Sequence, residues 1–236
     1  MLAYHNDPKV KARYLRRVAR HRQLDQLVQG TGAEGSGKEF RGCAVGCTLN
    51  RYDHAAYPTE LGVPELLARL EDRLFEGMSA ADAQAWPERF LRAIPVGADL
   101  SLVWPRFAHW MLVDETHGVL RVAKTLRSQE AIQAVALLFE RQIAGETVSR
   151  PEWKNAANCG YRAEAETADP AAATAATAAS SAAESESVAD AAAAAVDACT
   201  SAIASLAAWA ASAGTREKRY AVMAAKLESL LQQAPV

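Results

Sequence analysis

The feature that most constrains the fold is a tract over residues 163–214 in which 26 of 52 residues are alanine. The tract also contains seven acidic residues and no lysine or arginine. Alanine has the highest helix propensity, so helix is the expected conformation. Because alanine side chains are small, helix axes can approach closely, and we expect tight helix pairs broken near Pro170. Larger anchors within the tract are Ile203, Leu206 and Trp209.

Helix signals recur through the rest of the chain. Apolar residues return at helical spacing in several segments, and Ser149 with Glu152 forms a capping box that predicts a helix start. We expect Pro87 to interrupt one helix and Pro105 either to kink the next or to mark its first turn. No run of alternating β-branched residues reaches five positions, which disfavours a sheet-based core. The sequence therefore predicts an all-α protein.

Two helical regions are expected. The first is a compact multi-helix domain over residues 1–148, which includes a long loop rich in glycine and cysteine over residues 30–59. The second is an alanine-rich region over residues 149–236, which forms a helical hairpin or a three-helix extension packed on the first. Half of the residues are hydrophobic and 23% are charged, a composition typical of globular proteins.

The composition also bears on location and partners. Four scattered cysteines do not form a disulfide framework, and the N-terminal segment lacks the apolar core and cleavage site of a secretory signal. No window supplies the roughly 20 apolar residues that a membrane-spanning helix needs. These features predict a cytoplasmic protein without a membrane partner. The net charge of −2 gives no overall attraction for nucleic acid, so binding would require a local basic patch.

The glycine-rich loop contains two partial matches to phosphate-binding motifs. Gly30, Gly32 and Gly35 satisfy G-x-G-x-x-G, and Gly37 with Lys38 resembles part of a P-loop. The P-loop requires serine or threonine next, whereas this chain has Glu39, whose carboxylate would repel phosphate. Both motifs also require a preceding buried strand and a following helix, which the pattern here does not predict. Nucleotide binding at this loop is therefore disfavoured, and glycine-rich flexibility explains the pattern better.

The same loop carries a thiol, an imidazole and a carboxylate. Cys43 and Cys47 are followed by Asp53 and His54. One interpretation is a nucleophile with its base and an orienting group; another is a partial zinc site, since zinc accepts sulfur and nitrogen ligands. The third is that both cysteines are simply buried in a tight turn. The last interpretation is favoured, and no cofactor is assigned.

Two further charged groups have simpler interpretations. The first helix carries seven cations, which could bind phosphates. Solvation, or docking on the acidic alanine tract, explains them better. The seven are Lys9, Lys11, Arg13, Arg16, Arg17, Arg20 and Arg22. In the second helix, Glu65 can pair with Arg69 at i,i+4. Glu71, Asp72 and Glu76 of that helix are therefore interpreted as part of a solvated face.

Aromatic residues and prolines cluster near the middle of the chain and predict a core of short helices. If this cluster instead lines a pocket, the polar and aromatic groups best placed to converge in it are Asp99, Trp104, Arg106 and His109.

The segments RGCAVGCTLNRYDHAAY, LARLEDRLFEG and IPVGADLSLVWPRF resemble a group of short bacterial and phage proteins without a known activity. The alanine-rich half is similar in composition to the tails of some immunity proteins. The resemblance supplies no substrate and no catalytic residue. It implies a phage-related or immunity-like protein. From the helical surfaces we expect a non-enzymatic protein that binds a protein partner, and flat alanine faces could also pack against a second copy to form a homodimer. An enzyme or metal-binding protein built on the cysteine loop, and a weak nucleic-acid binder using the first helix, are the alternatives.

Overall fold

The structure is a computed structural model that describes residues 1–183 and 213–236, together with the single positions 194, 197, 198 and 202. Cys199 and the expected anchors Ile203, Leu206 and Trp209 lie outside the described residues. The chain divides into two compact units. Unit 1 comprises Met1–Val103 and Glu217–Val236, and unit 2 comprises Trp104–Arg216. The sequence-based boundary between residues 148 and 149 falls within unit 2.

The described residues form ten α-helices and one pair of two-residue strands, which confirms the all-α prediction. The helices are α1 (Pro8–Gln23), α2 (Ala44–Leu49), α3 (Tyr57–Leu61), α4 (Glu65–Gly77), α5 (Ala80–Ala93), α6 (Val103–Val113), α7 (Leu126–Ile143), α8 (Arg150–Thr167), α9 (Pro170–Ala183) and α10 (Ala213–Gln232). The antiparallel strands are β1 (Ala33–Glu34) and β2 (Arg41–Gly42). Short 3-10 helices cover Ala3–Asn6, Gly37–Glu39, His54–Ala56 and Val119–Val122.

Two sequence-based expectations are corrected. The segment over residues 30–59, expected to be a long loop, contains β1, β2 and the fully buried helix α2. Six residues are too few for α2 to display a helical period, and Gly46 within it suggests a turn. Pro87 does not interrupt its helix, because α5 continues through it to Ala93 with the proline ring buried.

Unit 1 encloses a core of large side chains, to which the last helix contributes. Trp86, Tyr57 and Phe75 are completely buried. From α10, Tyr220 packs so closely on Gly77 that a Cβ atom there would lie 2.2 Å from the ring. The residues of α10 that are buried in this unit are Tyr220, Met223, Ala224, Leu227, Leu230 and Leu231. Unit 1 is therefore built from both ends of the chain.

Unit 2 packs three helices closely. Gly160 of α8 faces Ala176 of α9, where an added Cβ atom would lie 2.8 Å from the Ala176 nitrogen. Ala131, Ala163 and Ala172 bring α7, α8 and α9 into one buried cluster. The expected tight helix pair is thus confirmed for α8 and α9, and the expected break falls at Pro170, where α9 begins. Among the described residues, no helix combines the length and apolar character that crossing a membrane requires.

Candidate functional site

The two cysteines of the GCAVGC segment occupy different environments in unit 1. Cys43 is the N-cap of α2, and its sulfur accepts a hydrogen bond from the Gly46 amide at 3.4 Å. Cys47 lies one turn further on, with its sulfur 3.4 Å from the Gly42 carbonyl oxygen and 3.6 Å from that of Gln26. Both are buried. The helix therefore directs the two thiols toward different partners.

Cys43 lies beside carboxylates of α4. One ligand atom each from Cys43, Asp72 and Glu76 lies within 4.8 Å of the others. Asp72 is 7% exposed, and within the described part of the chain its buried Oδ1 atom has no nitrogen or oxygen donor. The Cys43 thiol hydrogen-bonds to the Asp72 carboxylate. Glu76 is half-buried, and its Oε2 atom accepts a hydrogen bond of 2.7 Å from the Gly30 amide. We call these three residues the thiol–carboxylate cluster.

His54 supports this cluster rather than pairing with Asp53. Its Nε2 atom lies 3.1 Å from Asp72 Oδ2, and the Tyr52 hydroxyl donates to the same oxygen at 3.3 Å. Asp53 instead contacts the Arg51 guanidinium at 3.2 Å. The predicted grouping of a thiol, an imidazole and a carboxylate thus has Asp72 as the carboxylate that contacts the imidazole.

The acids of α4 are not a solvated face, which corrects the sequence-based interpretation. Glu71 is completely buried and accepts a hydrogen bond of 2.7 Å from the Tyr57 hydroxyl. It lies four residues after Leu67 and three before Leu74, both of which are buried, so helical spacing places it on the apolar stripe. The burial of Glu71 could have been predicted from this spacing in the sequence. The predicted ion pair between Arg69 and Glu65 is confirmed at 2.7 Å.

The electrostatics of the cluster oppose a free thiolate. Burial raises the pKa of the Cys43 thiol, and the negative charge of Asp72 and a hydrogen bond to its carboxylate raise it further. Burial also raises the pKa of Cys47 to about 12. A nucleophilic cysteine needs a lowered pKa, which a positive neighbour or a helix N-terminus usually provides. Cys43 does cap α2, but the backbone amides there lower its pKa less than burial and Asp72 raise it. The arrangement therefore favours protonated thiols and argues against thiol-based catalysis by these side chains alone.

A second feature of unit 1 is a cleft of about 710 Å³ between α1 and the segment that joins β1 to β2. Four arginines of α1 line one wall, and Lys38 lines the other. Among the described residues, no carboxylate lines the cleft. The lining consists of Arg13, Arg16, Arg17, Arg20, His21, Leu24, Gln26, Gly35, Ser36, Gly37, Lys38, Phe40 and Asn50. We call this feature the basic cleft.

The cations of the basic cleft differ in how they are held. The Arg17 guanidinium donates to the Thr48 carbonyl at 2.8 Å and lies 5.1 Å from the centre of the Tyr14 ring, over which Arg13 also lies. By contrast, Arg16, Arg20 and Lys38 are exposed and make no ion pair with the described residues. Three cations are thus available to a ligand.

The segment that lines the basic cleft is not a P-loop, and the sequence had already argued against one. The segment before the glycines is α1 rather than a buried strand, and Gly37 begins a three-residue 3-10 helix that is followed by β2. Glu39, expected to repel phosphate, is exposed and does not line the cleft. Lys38 consequently reaches the cleft without an adjacent carboxylate in its lining.

The residues of the predicted pocket are distributed over both units. Asp99 is an exposed residue of unit 1, and its Oδ1 atom accepts a hydrogen bond from the Ser101 amide at 3.0 Å. Trp104 is buried in unit 2, where its Nε1 atom donates to the Ser181 hydroxyl at 3.0 Å. Arg106 and His109 are half-buried on α6. The role of these four residues as pocket-lining groups stays a prediction.

No protein-family model, curated protein sequence or solved structure matches this chain.

Proposed function

We propose that unit 1 binds a ligand that carries two or more phosphate groups, and that it does so in the basic cleft. The observation that carries the proposal is that five cationic side chains face one cleft whose lining contains no carboxylate. The chemistry fits the phosphodiester backbone of a nucleic acid and the phosphate chain of a free nucleotide. This interpretation retains the non-enzymatic binding class expected from the sequence but assigns a phosphate-bearing partner.

The spacing of the arginines supports a polyanion rather than a single small anion. Positions 13, 16, 17 and 20 fall on one face of a helix, because each is three or four residues away from two of the others. They extend over about 10 Å along the axis, at ~1.5 Å per residue. A row of this length can contact successive phosphates of one strand, while Lys38 contacts them from the opposite wall.

Repulsion between the arginines of α1 also favours an anionic ligand. Like charges at i,i+4 destabilise a helix by about 0.2–0.5 kcal/mol per pair. Arg13 with Arg17 and Arg16 with Arg20 are two such pairs on one helix face. An anionic ligand would offset this repulsion, because guanidinium groups pair with phosphate in a charge-assisted, bidentate manner.

The test compares three probes at low salt: a mixed-sequence single-stranded oligonucleotide, its duplex and a nucleoside triphosphate. We expect binding whose logarithm falls linearly with the logarithm of the salt concentration. Binding of both oligonucleotide and triphosphate identifies the shared phosphate chemistry, whereas preference for the strand identifies a nucleic-acid backbone. If none of the three probes binds at low salt, the proposal is wrong.

Matched variants locate the binding surface. Arg16→Gln and Arg20→Gln remove cations without an ion pair in the described structure, so we expect native stability and weaker binding. For a single strand, each lost phosphate contact should reduce the salt slope by about 0.7. Arg22→Gln is the control, because Arg22 belongs to the same helix but pairs with Glu88 at 3.5 Å and lies outside the cleft. An equal loss of binding in the control would contradict the assignment to the cleft.

A further inference from the structure

The ligand atoms of the thiol–carboxylate cluster are of the kinds that bind metal ions, and they lie close to one another. Cys43 offers a sulfur, and Asp72 and Glu76 offer carboxylate oxygens, all within 4.8 Å of one another. In a tetrahedral zinc site with bonds of about 2.0–2.3 Å, ligand atoms lie about 3.3–3.8 Å apart. Closing the cluster to this size requires movements of roughly 1 Å, which the half-buried Glu76 side chain can supply.

A buried carboxylate lies within the cluster. Asp72 is 7% exposed, and its Oδ1 atom has no nitrogen or oxygen donor among the described residues. The Cys43 thiol hydrogen-bonds to the Asp72 carboxylate, and a thiol is only a weak donor. A cation that replaces the thiol proton would bind the Cys43 sulfur together with this carboxylate, and it would offset the repulsion between Asp72 and Glu76.

The surroundings of Asp72 resemble the second shell of a metal site. Its other oxygen, Oδ2, contacts His54 Nε2 at 3.1 Å and the Tyr52 hydroxyl at 3.3 Å. Hydrogen bonds of this kind orient a ligating carboxylate and are usual around bound metals. They fix the Asp72 side chain so that Oδ1 stays available. His54 is therefore a positioning residue rather than one of the three ligands.

We propose that Cys43, Asp72 and Glu76 bind one divalent metal ion of the zinc type. A thiolate ligand selects zinc-like ions over magnesium and calcium, which prefer oxygen alone. Three protein ligands leave the fourth tetrahedral position for water, and the half-buried Glu76 provides access from solvent. On binding, the Cys43 thiol releases its proton to solvent and a sulfur–metal bond forms, with no change in oxidation state. This metal site is separate from the basic cleft and does not depend on it.

The experiment titrates the reduced, metal-free full chain with Co²⁺ and follows the absorption band of thiolate-to-cobalt charge transfer. Zn²⁺ is then added in competition. We expect one equivalent of Co²⁺ to produce the band and one equivalent of Zn²⁺ to remove it. Native mass spectrometry should show one bound zinc that a chelator removes. A chain that binds no metal, or that gives no thiolate band, would overturn the proposal.

Cys43→Ser and Cys47→Ser form a matched pair. Serine is a favoured N-cap, so Cys43→Ser keeps the cap of α2 while removing the soft ligand. We expect this variant to fold and to lose the cobalt band, whereas Cys47→Ser should retain it, because the Cys47 sulfur faces backbone carbonyls. If Cys43→Ser is folded by circular dichroism and keeps the band, Cys43 is not a ligand and the proposal fails.

Two further variants separate ligands from the positioning residue. Asp72→Asn should weaken Co²⁺ binding strongly, because it replaces a charged ligand with a neutral one. His54→Ala should retain the thiolate band but lower the affinity by about 10–100-fold, as expected for a second-shell group. Loss of the band in His54→Ala, with the protein still folded, would contradict this division of roles.

Discussion

Gly77 shows how closely side chains of unit 1 are packed. It is the last residue of α4, and the ring of the fully buried Tyr220 lies against its Cα atom. A Cβ atom at this position would lie 2.2 Å from two ring carbons of Tyr220. Since van der Waals contact between carbons begins near 3.5 Å, alanine cannot be added without displacing the ring. Glycine is required here by space, not by backbone conformation.

Gly77→Ala should therefore destabilise the protein, although alanine is normally the better helix former. Overpacking a core costs about 1–3 kcal/mol, which exceeds the ~1 kcal/mol that alanine gains over glycine within a helix. We expect a lower free energy of unfolding in urea. In a Tyr220→Leu background the cost should shrink, because leucine lacks the ring atoms in contact. An unchanged cost in that background would show that the ring is not the cause.

The residues of the metal cluster could be predicted only in part. Cys43 and His54 stand out in the sequence because their side chains are scarce and chemically distinctive. Asp72 and Glu76 do not, because acids in a charged helix usually face solvent, and the partnership of Asp72 with His54 depends on how α4 packs. The burial of Glu71 between Leu67 and Leu74 could be predicted from helical spacing. The same spacing predicted the ion pair between Arg69 and Glu65.

At the scale of the element, the start of α8 is the clearest case of local encoding. The Ser149 amide and hydroxyl both donate to Glu152 Oε2, at 2.9 and 2.6 Å. Arg141 of α7 donates to Oε1 of the same carboxylate at 2.8 Å. The Ser149 hydroxyl and the Arg141 guanidinium lower the pKa of Glu152 from 4.5 to about 2. Because Arg141 belongs to α7, the Glu152 carboxylate of the capping box also links α8 to α7.

This shift predicts a pH dependence with a defined sign. A carboxylate whose pKa is lower in the folded state contributes stability above its unfolded pKa of 4.5 and loses it as the pH falls toward about 2. In Glu152→Gln this contribution is absent at every pH. We expect the thermal midpoint of the wild type to fall more steeply between pH 4.5 and 2 than that of the variant. Glu164→Gln, on the same helix but outside the capping box, is the control and should follow the wild type.

Other elements depend on tertiary packing and were therefore harder to predict from the sequence. Helix α2 is six residues long, and each of its side chains is buried, so it has no exposed face and no periodicity to detect. The proline in α5 removes one backbone hydrogen bond, but its ring is buried among the side chains of unit 1. Burial there outweighs the local preference to end the helix. By contrast, α8 could be predicted from its capping box, and α9 from alanine propensity and Pro170.

At the scale of the whole molecule, the composition of the chain suggested a boundary that its contacts do not follow. Alanine content rises after residue 149, yet residues 104–148 belong to unit 2 and residues 217–236 belong to unit 1. The reason lies in side-chain size. Tyr220, Leu227 and Leu231 are completely buried, and side chains of this size need partners of similar size, which unit 1 supplies. Pairing between distant segments of a chain is not visible in local patterns.

The division into units predicts which fragment folds. The Asp99 amide donates to the Pro235 carbonyl at 2.8 Å, so the chain end lies beside residue 99. From Glu217 to Gln232, α10 rises about 24 Å at ~1.5 Å per residue. A glycine–serine linker of about 20 residues has a root-mean-square length of roughly 25 Å and can join residue 103 to residue 217. This joined chain should unfold cooperatively in urea, because it retains the complete core of unit 1.

The matched comparison is the fragment 1–148, which ends at the boundary that composition suggests. It contains α7 but lacks the five large α10 side chains that are buried in unit 1, so the surface around Gly77 is exposed to solvent. Removing one large core side chain costs about 2–5 kcal/mol, and total stability is only about 5–15 kcal/mol. Loss of five such side chains therefore leaves no stable fold, and we expect a non-cooperative transition by circular dichroism. Cooperative unfolding of 1–148 with a midpoint equal to that of the joined chain would instead show that α10 is dispensable to unit 1.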